Sequence, residues 1–116
     1  MITELKELIQ TTNYNPKHLA VIWCTDDGGK FTYWVGWFVG GKFESYQLRT
    51  GAKRIPTFCV LHQDLIQIAE FPHDNPIIKI EGNKLVLSIH KASTWNREFG
   101  CFELTEWQKS KIQNAA

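Results

Sequence analysis

Histidines and one pair of adjacent carboxylates are the residues of this sequence whose chemistry suits catalysis or metal binding. The histidines are His18, His62, His73 and His90, and no two of them have the HxxH or HExxH spacing of a zinc site. Asp26 and Asp27 precede two glycines, an arrangement more typical of a tight turn than of a metal site. The sequence therefore predicts no catalytic residue, no metal ligand and no cofactor, and we do not expect an enzyme.

Two polar segments carry clustered cations, and one of them adds an aromatic ring. Proteins that bind single strands need cations that contact phosphates and aromatic faces on which bases stack, at about 1–3 kcal/mol per base. The candidate binding residues are Arg49, Lys53 and Arg54 in the first segment and Lys91, Trp95 and Arg97 in the second. The alternative is that both segments are solvated loops whose charges only keep the protein in solution.

An aromatic run, Tyr33-Trp34 followed by Trp37-Phe38, could form a platform for a ligand or a protein partner. A strand with so many aromatic residues is more often part of a core. We therefore predict that Trp37, or Trp23 in the preceding apolar run, is buried. The platform interpretation supports a second hypothesis for function, a protein-interaction module such as a small inhibitor or an accessory subunit.

Length and charge limit the possible classes of protein. A chain of 116 residues that is 43% hydrophobic and 22% charged has the composition of one globular domain, residues 1–116. The net charge of +1 gives no global field that would attract nucleic acid or membrane, so anion binding would need a local patch. The same balance argues against a mimic of DNA, which needs a strongly acidic surface.

Cysteine usage and the apolar runs predict a cytoplasmic protein. Cys24, Cys59 and Cys101 are odd in number and widely spaced, so we expect free thiols and no disulfide framework. Charges interrupt the apolar positions of residues 1–10, unlike a signal peptide. The longest uncharged run, residues 31–41, is too short to cross a bilayer, and no membrane association is expected.

The spacing of apolar residues and turn residues predicts an α+β fold made of antiparallel β-meander sheets with short helices. Helical periodicity occurs at 2–11 and 62–71, and Thr105 and Gln108 have capping-box spacing for a last helix through about 113. Strands are expected at 18–24, 30–39, 42–48, 57–61, 77–80, 84–91 and 99–104. Residues 49–56 and 92–98 are then the two polar loops.

A weak internal repeat is compatible with this order of elements. A shift of 42 residues aligns Gly40 with Gly82, Lys42 with Lys84 and Cys59 with Cys101. The order turn, strand, polar loop, strand and helix then occurs in both halves, 18–71 and 75–113. The repeat is either a true duplication that makes the chain a pseudo-dimer of ββββα-like halves, or two ordinary hairpin-plus-helix units.

A Gly-apolar-x-Leu segment followed by a tryptophan comprises Gly100, Phe102, Leu104 and Trp107. With these residues, 77–112 resembles the Whirly and positive-cofactor type of single-strand-binding transcriptional regulators. That resemblance implies a four-stranded antiparallel sheet followed by a helix, two such units packed helix to helix, and regulation through single-stranded DNA. The spacer between Leu104 and Trp107 is two residues shorter than in that family.

The leading hypothesis from the sequence is therefore non-enzymatic binding of single-stranded DNA or RNA. The expected partner is a nucleic acid, and the protein-interaction module is the alternative.

Overall fold

The computed structural model describes residues 2–71, 76–89 and 96–115, which form three helices and two antiparallel sheets. The helices are α1 (Ile2–Thr11), α2 (His62–Ala69) and α3 (Glu106–Ala115). The first four strands are β1 (Leu19–Asp27), β2 (Lys30–Val39), β3 (Lys42–Gly51) and β4 (Phe58–Leu61). The last three are β5 (Ile77–Glu81), β6 (Lys84–Ser88) and β7 (Asn96–Gly100). The predicted α+β class and the antiparallel pairing are both confirmed.

The first four strands form sheet A, in the order β3-β2-β1-β4. Two-residue glycine turns close the β1–β2 and β2–β3 hairpins, and Gly28 and Gly40 have φ values of 65° and 55°. Only glycine adopts such values without a steric cost, so the glycine pairs set the register of both hairpins. Asp26 accepts a hydrogen bond from the Gly29 backbone N–H at 3.2 Å, which confirms its role in the turn.

One face of sheet A, the first face, carries the main core. The buried residues of this face include Ala20, Ile22, Val35, Trp37, Leu48 and Val60. Helices α1 and α2 contribute Leu5 and Leu65, and sheet B, formed by β5-β6-β7, contributes Leu85, Leu87 and Phe99. The two sheets therefore share one hydrophobic cluster, as expected when each layer has a single apolar face to bury.

The connector between α1 and β1 supplies the cap of α2. The first N–H groups of a helix lack intrahelical acceptors, and Leu61 at the N-cap makes no side-chain hydrogen bond to them. Instead, the His62 N–H donates to the His18 carbonyl at 2.8 Å and the Gln63 N–H donates to the Pro16 carbonyl at 3.0 Å. These bonds fix the connector against α2 and place Tyr14 beside the core.

The opposite face of sheet A, the second face, packs against α3. Val21, Trp23 and Cys59 of the sheet form a smaller buried cluster with Ile112 of the helix. The predicted capping box at the start of α3 is present: the Thr105 N–H donates to Gln108 Oε1 at 2.9 Å, and the Gln108 N–H donates to Thr105 Oγ1 at 3.2 Å. Since both faces of β1 and β2 are covered, the prediction that the aromatic strand is central is confirmed.

Several predicted boundaries need correction. Strand β3 continues to Gly51, because it pairs with β2 as far as Phe31 through a β-bulge. The last strand is residues 96–100 rather than 99–104, so the predicted polar loop 92–98 is β7 over 96–98 and lies outside the described residues over 92–95. Strand β6 ends at Ser88 and α2 ends at Ala69, both earlier than predicted.

The 42-residue repeat predicted from the sequence agrees only in part with the observed strands and helices. The shift places β3 on β6 and α2 largely on α3, but it places β4 on residues 100–103, of which only Gly100 belongs to β7. The two sheets also differ in strand number and order, so the pseudo-dimer stays a prediction.

Among the described residues, no helix has both the length and the apolar character needed to cross a bilayer.

Candidate nucleic-acid interface

The first basic segment runs from the end of β3 into the link to β4, and hydrogen bonds fix it to sheet A. The Tyr33 hydroxyl donates to the Lys53 carbonyl, and the Cys24 thiol donates to the Ile55 carbonyl at 3.4 Å. The Tyr33 ring also lies where a Cβ at position 51 would be, so Gly51 is needed for this close approach. The segment is therefore held by its backbone while Lys53 and Arg54 remain exposed.

An aromatic ring lies beneath this segment. The Arg54 guanidinium is 5.6 Å from the centroid of the Phe31 ring, an arrangement typical of a cation–π contact worth about 0.5–1 kcal/mol at an exposed site. Phe31 is partly exposed. The contact orients the guanidinium, whose N–H groups can bind an anionic ligand.

A second ring lies near the same end of sheet A, on the second face. Trp34 is in register with Gln47, two residues before Arg49, which corresponds to about 7 Å along the strand. The Trp34 indole N–H donates to Thr25 Oγ1 at 3.0 Å, which fixes the ring, and the side chain is partly exposed. The predicted cation Arg49 is exposed at the end of β3 rather than in a loop.

The second predicted segment is only partly described. Lys91 and Trp95 lie outside the described residues. Arg97 is exposed on β7 and in register with Leu87, so the prediction that it lies in a loop is wrong. The sequence Asn96-Arg97-Glu98 is as polar as a loop because β7 is an edge strand. Phe99 is its one buried side chain.

A small apolar cavity lies between the first basic segment and strand β6. Its lining includes Ile55, the neighbour of Arg54, and Leu87, the register partner of Arg97. Adjacent strands are about 4.8 Å apart. The fold therefore brings β7 and the first basic segment to the same region, although they belong to different sheets.

The second face of sheet A holds an aromatic cluster that sequence reasoning assigned to the core as a whole. Trp23 and Trp34 are stacked with centroids 6.2 Å apart, and Phe43 lies 5.7 Å from Trp23 and 4.6 Å from Phe38. Trp107 of α3 lies 5.6 Å from Phe38. Trp37, by contrast, is fully buried on the first face. The alternation of strand side chains thus splits the aromatic run between two environments.

One polar atom in this cluster has no hydrogen-bond acceptor among the described residues. Trp23 is 3% exposed, and its indole Nε1 is buried without a partner. A buried donor that loses its hydrogen bond with water costs about 1–3 kcal/mol. Burial of Trp23 in this cluster therefore carries an unfavourable contribution that an apolar residue at position 23 would lack.

The histidines that the structure describes are positioned by hydrogen bonds that do not suit metal binding. His62 Nδ1 accepts from Trp37 Nε1 at 3.0 Å, and His18 Nδ1 accepts from the Asn15 N–H at 3.1 Å. Each neutral ring then carries its proton on Nε2, which leaves no lone pair there for a metal. No cluster of three metal-ligating side chains occurs among the described residues.

Tyr14 lies against Trp37, the ring that donates a hydrogen bond to His62. It stacks on Trp37 at 4.4 Å, and its hydroxyl donates to Glu44 Oε2 at 2.6 Å. Burial and the hydrogen bond to Glu44 raise the pKa of Tyr14 far above its usual value of 10.0. The hydroxyl is therefore a poor nucleophile or base, and this network serves to pack the connector against sheet A.

We expect His62 to make stability depend on pH. Burial, followed by the nearby His18, lowers the pKa of His62 below its ordinary value of 6.5. Between these two values the unfolded chain binds more protons, so the free energy of unfolding is fully retained above about pH 6.5 and falls as the pH decreases below it. Urea unfolding at about pH 7.5 and pH 5 should show this loss.

A matched variant isolates that contribution. His62→Asn does not titrate and can still offer an acceptor to Trp37, so its stability should change less between the two pH values. An equal loss in the variant and in the natural protein would assign the pH dependence to other groups.

A separate cleft of about 500 Å³ lies beside β4, the β5–β6 turn and the segment that leads to α3. Its lining includes Ile80 and Phe102, which are 38% and 46% exposed. Exposed large apolar side chains beside an open cleft are typical of surfaces that contact other proteins. Sequence reasoning missed this cleft, because residues 101–104 were expected to form a strand.

Comparison with known proteins adds no relative. No family model, no curated protein and no solved structure matches the chain.

Proposed function

We propose that this protein binds single-stranded nucleic acid without catalysing a reaction. The observation that carries the proposal is the first basic segment: exposed Lys53 and Arg54 lie on a backbone that hydrogen bonds fix to sheet A, beside the partly exposed ring of Phe31. A fixed backbone favours binding because less conformational entropy is lost when the ligand docks.

The cations contact phosphates, and the aromatic rings stack on bases. Lys53 and Arg54 neutralise phosphates, and Arg49 and Arg97 extend the positive surface toward sheet A and sheet B. A base stacked on an aromatic ring contributes about 1–3 kcal/mol with little dependence on sequence. Lys91 and Trp95 keep their proposed roles as a phosphate contact and a stacking ring. Regulation of transcription through single strands, which the Whirly-type resemblance implies, remains part of this proposal.

A salt titration with a charge-matched control tests the proposal. Binding of a fluorescent oligothymidine of about 20 nucleotides is followed by anisotropy at several salt concentrations. Each lost phosphate contact lowers the slope of log K against log salt by about 0.7, so Lys53→Ala/Arg54→Ala should lower it by about 1.4. Lys17→Ala/Lys79→Ala also removes two exposed cations but should leave the slope unchanged.

Two outcomes would reject the proposal. One is no measurable affinity of the natural protein at low salt for either oligothymidine or the matched RNA. The other is equal weakening by both double variants, because that result would indicate a general effect of net charge rather than a site.

A protein-interaction module is the second candidate, and the cleft beside β4 favours it. Ile80 and Phe102 offer apolar area there that a peptide or a protein could cover. This candidate would lead if nucleic acid does not bind, and substitution of Phe102 by serine would then be the first variant to compare in a search for partners.

A further inference from the structure

The second face of sheet A has the composition of a stacking surface, although α3 covers it. Four rings, Trp23, Trp34, Phe38 and Phe43, follow one another along this face and form what we call the aromatic platform. Gly36 lies beneath it, and the Phe43 ring occupies the position that a Cβ at residue 36 would take. The glycine therefore lets the Phe43 ring lie close to the sheet.

Helix α3 attaches to this platform through few apolar side chains. Ile112 is the buried one, while Trp107 rests against Phe38 and is still 43% exposed. The remaining residues of the helix that the structure describes are mostly polar or charged, and Lys111 lies 5.7 Å from the centroid of the Trp107 ring. A short helix with so little buried area depends on these contacts to stay docked.

The docked state also leaves the Trp23 indole N–H without an acceptor among the described residues. Trp23 belongs to the buried cluster that Ile112 helps to close. Movement of α3 away from the sheet would remove Ile112 from this cluster. A buried donor without an acceptor makes the closed cluster less stable than a fully apolar one would be.

We infer that α3 is a displaceable cover and that the aromatic platform is a second binding site, for the bases of the strand whose phosphates contact the first basic segment. This inference rests on the function proposed above. Trp34 is the platform ring of β2 nearest to this segment along sheet A, because it is in register with Gln47, two residues from Arg49. Trp107 occupies in the closed state the position against Phe38 that a stacked base takes in the open one.

Competition between Trp107 and a base for the position against Phe38 predicts that Trp107→Ala strengthens binding. Trp107→Ala removes an aromatic pair, which changes the equilibrium between closed and open states by a factor of about 2 to 12. Because apparent affinity scales with the fraction of open protein, Trp107→Ala should bind oligothymidine more tightly by a factor in this range. The salt slope should not change, since no phosphate contact is altered.

Ile66→Ala is the matched control. Ile66 is 36% exposed, close to the 43% of Trp107, but it lies on α2, away from the aromatic platform. The control should leave the affinity unchanged. Hydrogen exchange of the full chain gives the second measurement: oligothymidine should speed exchange of the α3 amides in the natural protein while slowing exchange near residues 49–54.

The outcomes separate this inference from the proposed function. Oligothymidine that binds with the expected salt slope but leaves α3 exchange unchanged would overturn the displaceable cover and keep the proposed function. Weaker or unchanged binding by Trp107→Ala would also overturn the displaceable cover and keep the proposed function. Absence of binding in every variant would overturn both.

Discussion

Trp37→Ala should lower the free energy of unfolding by about 3–5 kcal/mol, the typical cost of removing a large aromatic ring from a packed core. Trp37 is 0% exposed. Its ring stacks on Tyr14 at 4.4 Å and meets Tyr46 edge-on at 5.9 Å, so the substitution leaves a cavity between the connector, β2 and β3. Urea unfolding followed by circular dichroism measures the loss.

A second substitution separates packing from hydrogen bonding at the same position. Trp37→Phe keeps most of the ring but removes the donor to His62 Nδ1, and its cost should be clearly smaller than that of Trp37→Ala. Trp107→Ala, at a half-exposed tryptophan, is the control for a general effect of tryptophan loss. A melting temperature of Trp37→Ala equal to that of the natural protein would show that the first face is not the core.

Local chemistry was sufficient to predict the hairpins, the central aromatic strand and the last helix cap. Gly28 and Gly40 have positive φ, as do Gly29 and Gly41, and residues other than glycine could not adopt these values without strain, so the turns are encoded in two or three residues. The reciprocal bonds of Thr105 and Gln108 are likewise a local signal. The burial of Trp37 followed from a strand whose two faces were both apolar.

Pairing between distant segments could not be predicted. Strand β4 pairs with β1, more than thirty residues earlier in the chain, and not with the preceding strand β3. Nothing in four apolar residues specifies which edge they join. Strand β7 was placed three residues late because an edge strand tolerates polar side chains, so Asn96 and Arg97 gave no apolar alternation.

The candidate site shows the same division. The sequence identified Lys53 and Arg54 as a basic pair, and both are exposed in the structure. It did not predict that Tyr33 fixes their backbone or that Phe31 lies under Arg54, because those contacts span about twenty residues. The sequence also could not predict that α3 covers the second face, because a weakly amphipathic helix does not indicate which surface it will contact.

Leu87→Ala should be the second strongly destabilising substitution, at about 2–5 kcal/mol. Leu87 is 0% exposed on β6. It lines the cavity between the sheets together with Leu48, Ile55 and Phe58. Because a cavity already exists there, truncation enlarges it, and the cost rises with the volume that the neighbours cannot fill.

This substitution also tests whether the chain unfolds as one domain. Trp23, Trp34 and Trp37 report on sheet A, whereas Leu87 belongs to sheet B. If the shared core makes the two sheets one cooperative unit, Leu87→Ala should shift the fluorescence and circular dichroism transitions to the same lower urea midpoint. Val86→Ala, the neighbouring position on the outer face of β6, should shift both much less. A fluorescence midpoint that stays in place while the dichroism midpoint falls would mean that sheet B unfolds separately, since tryptophans packed against an independent sheet A would not sense the loss of Leu87.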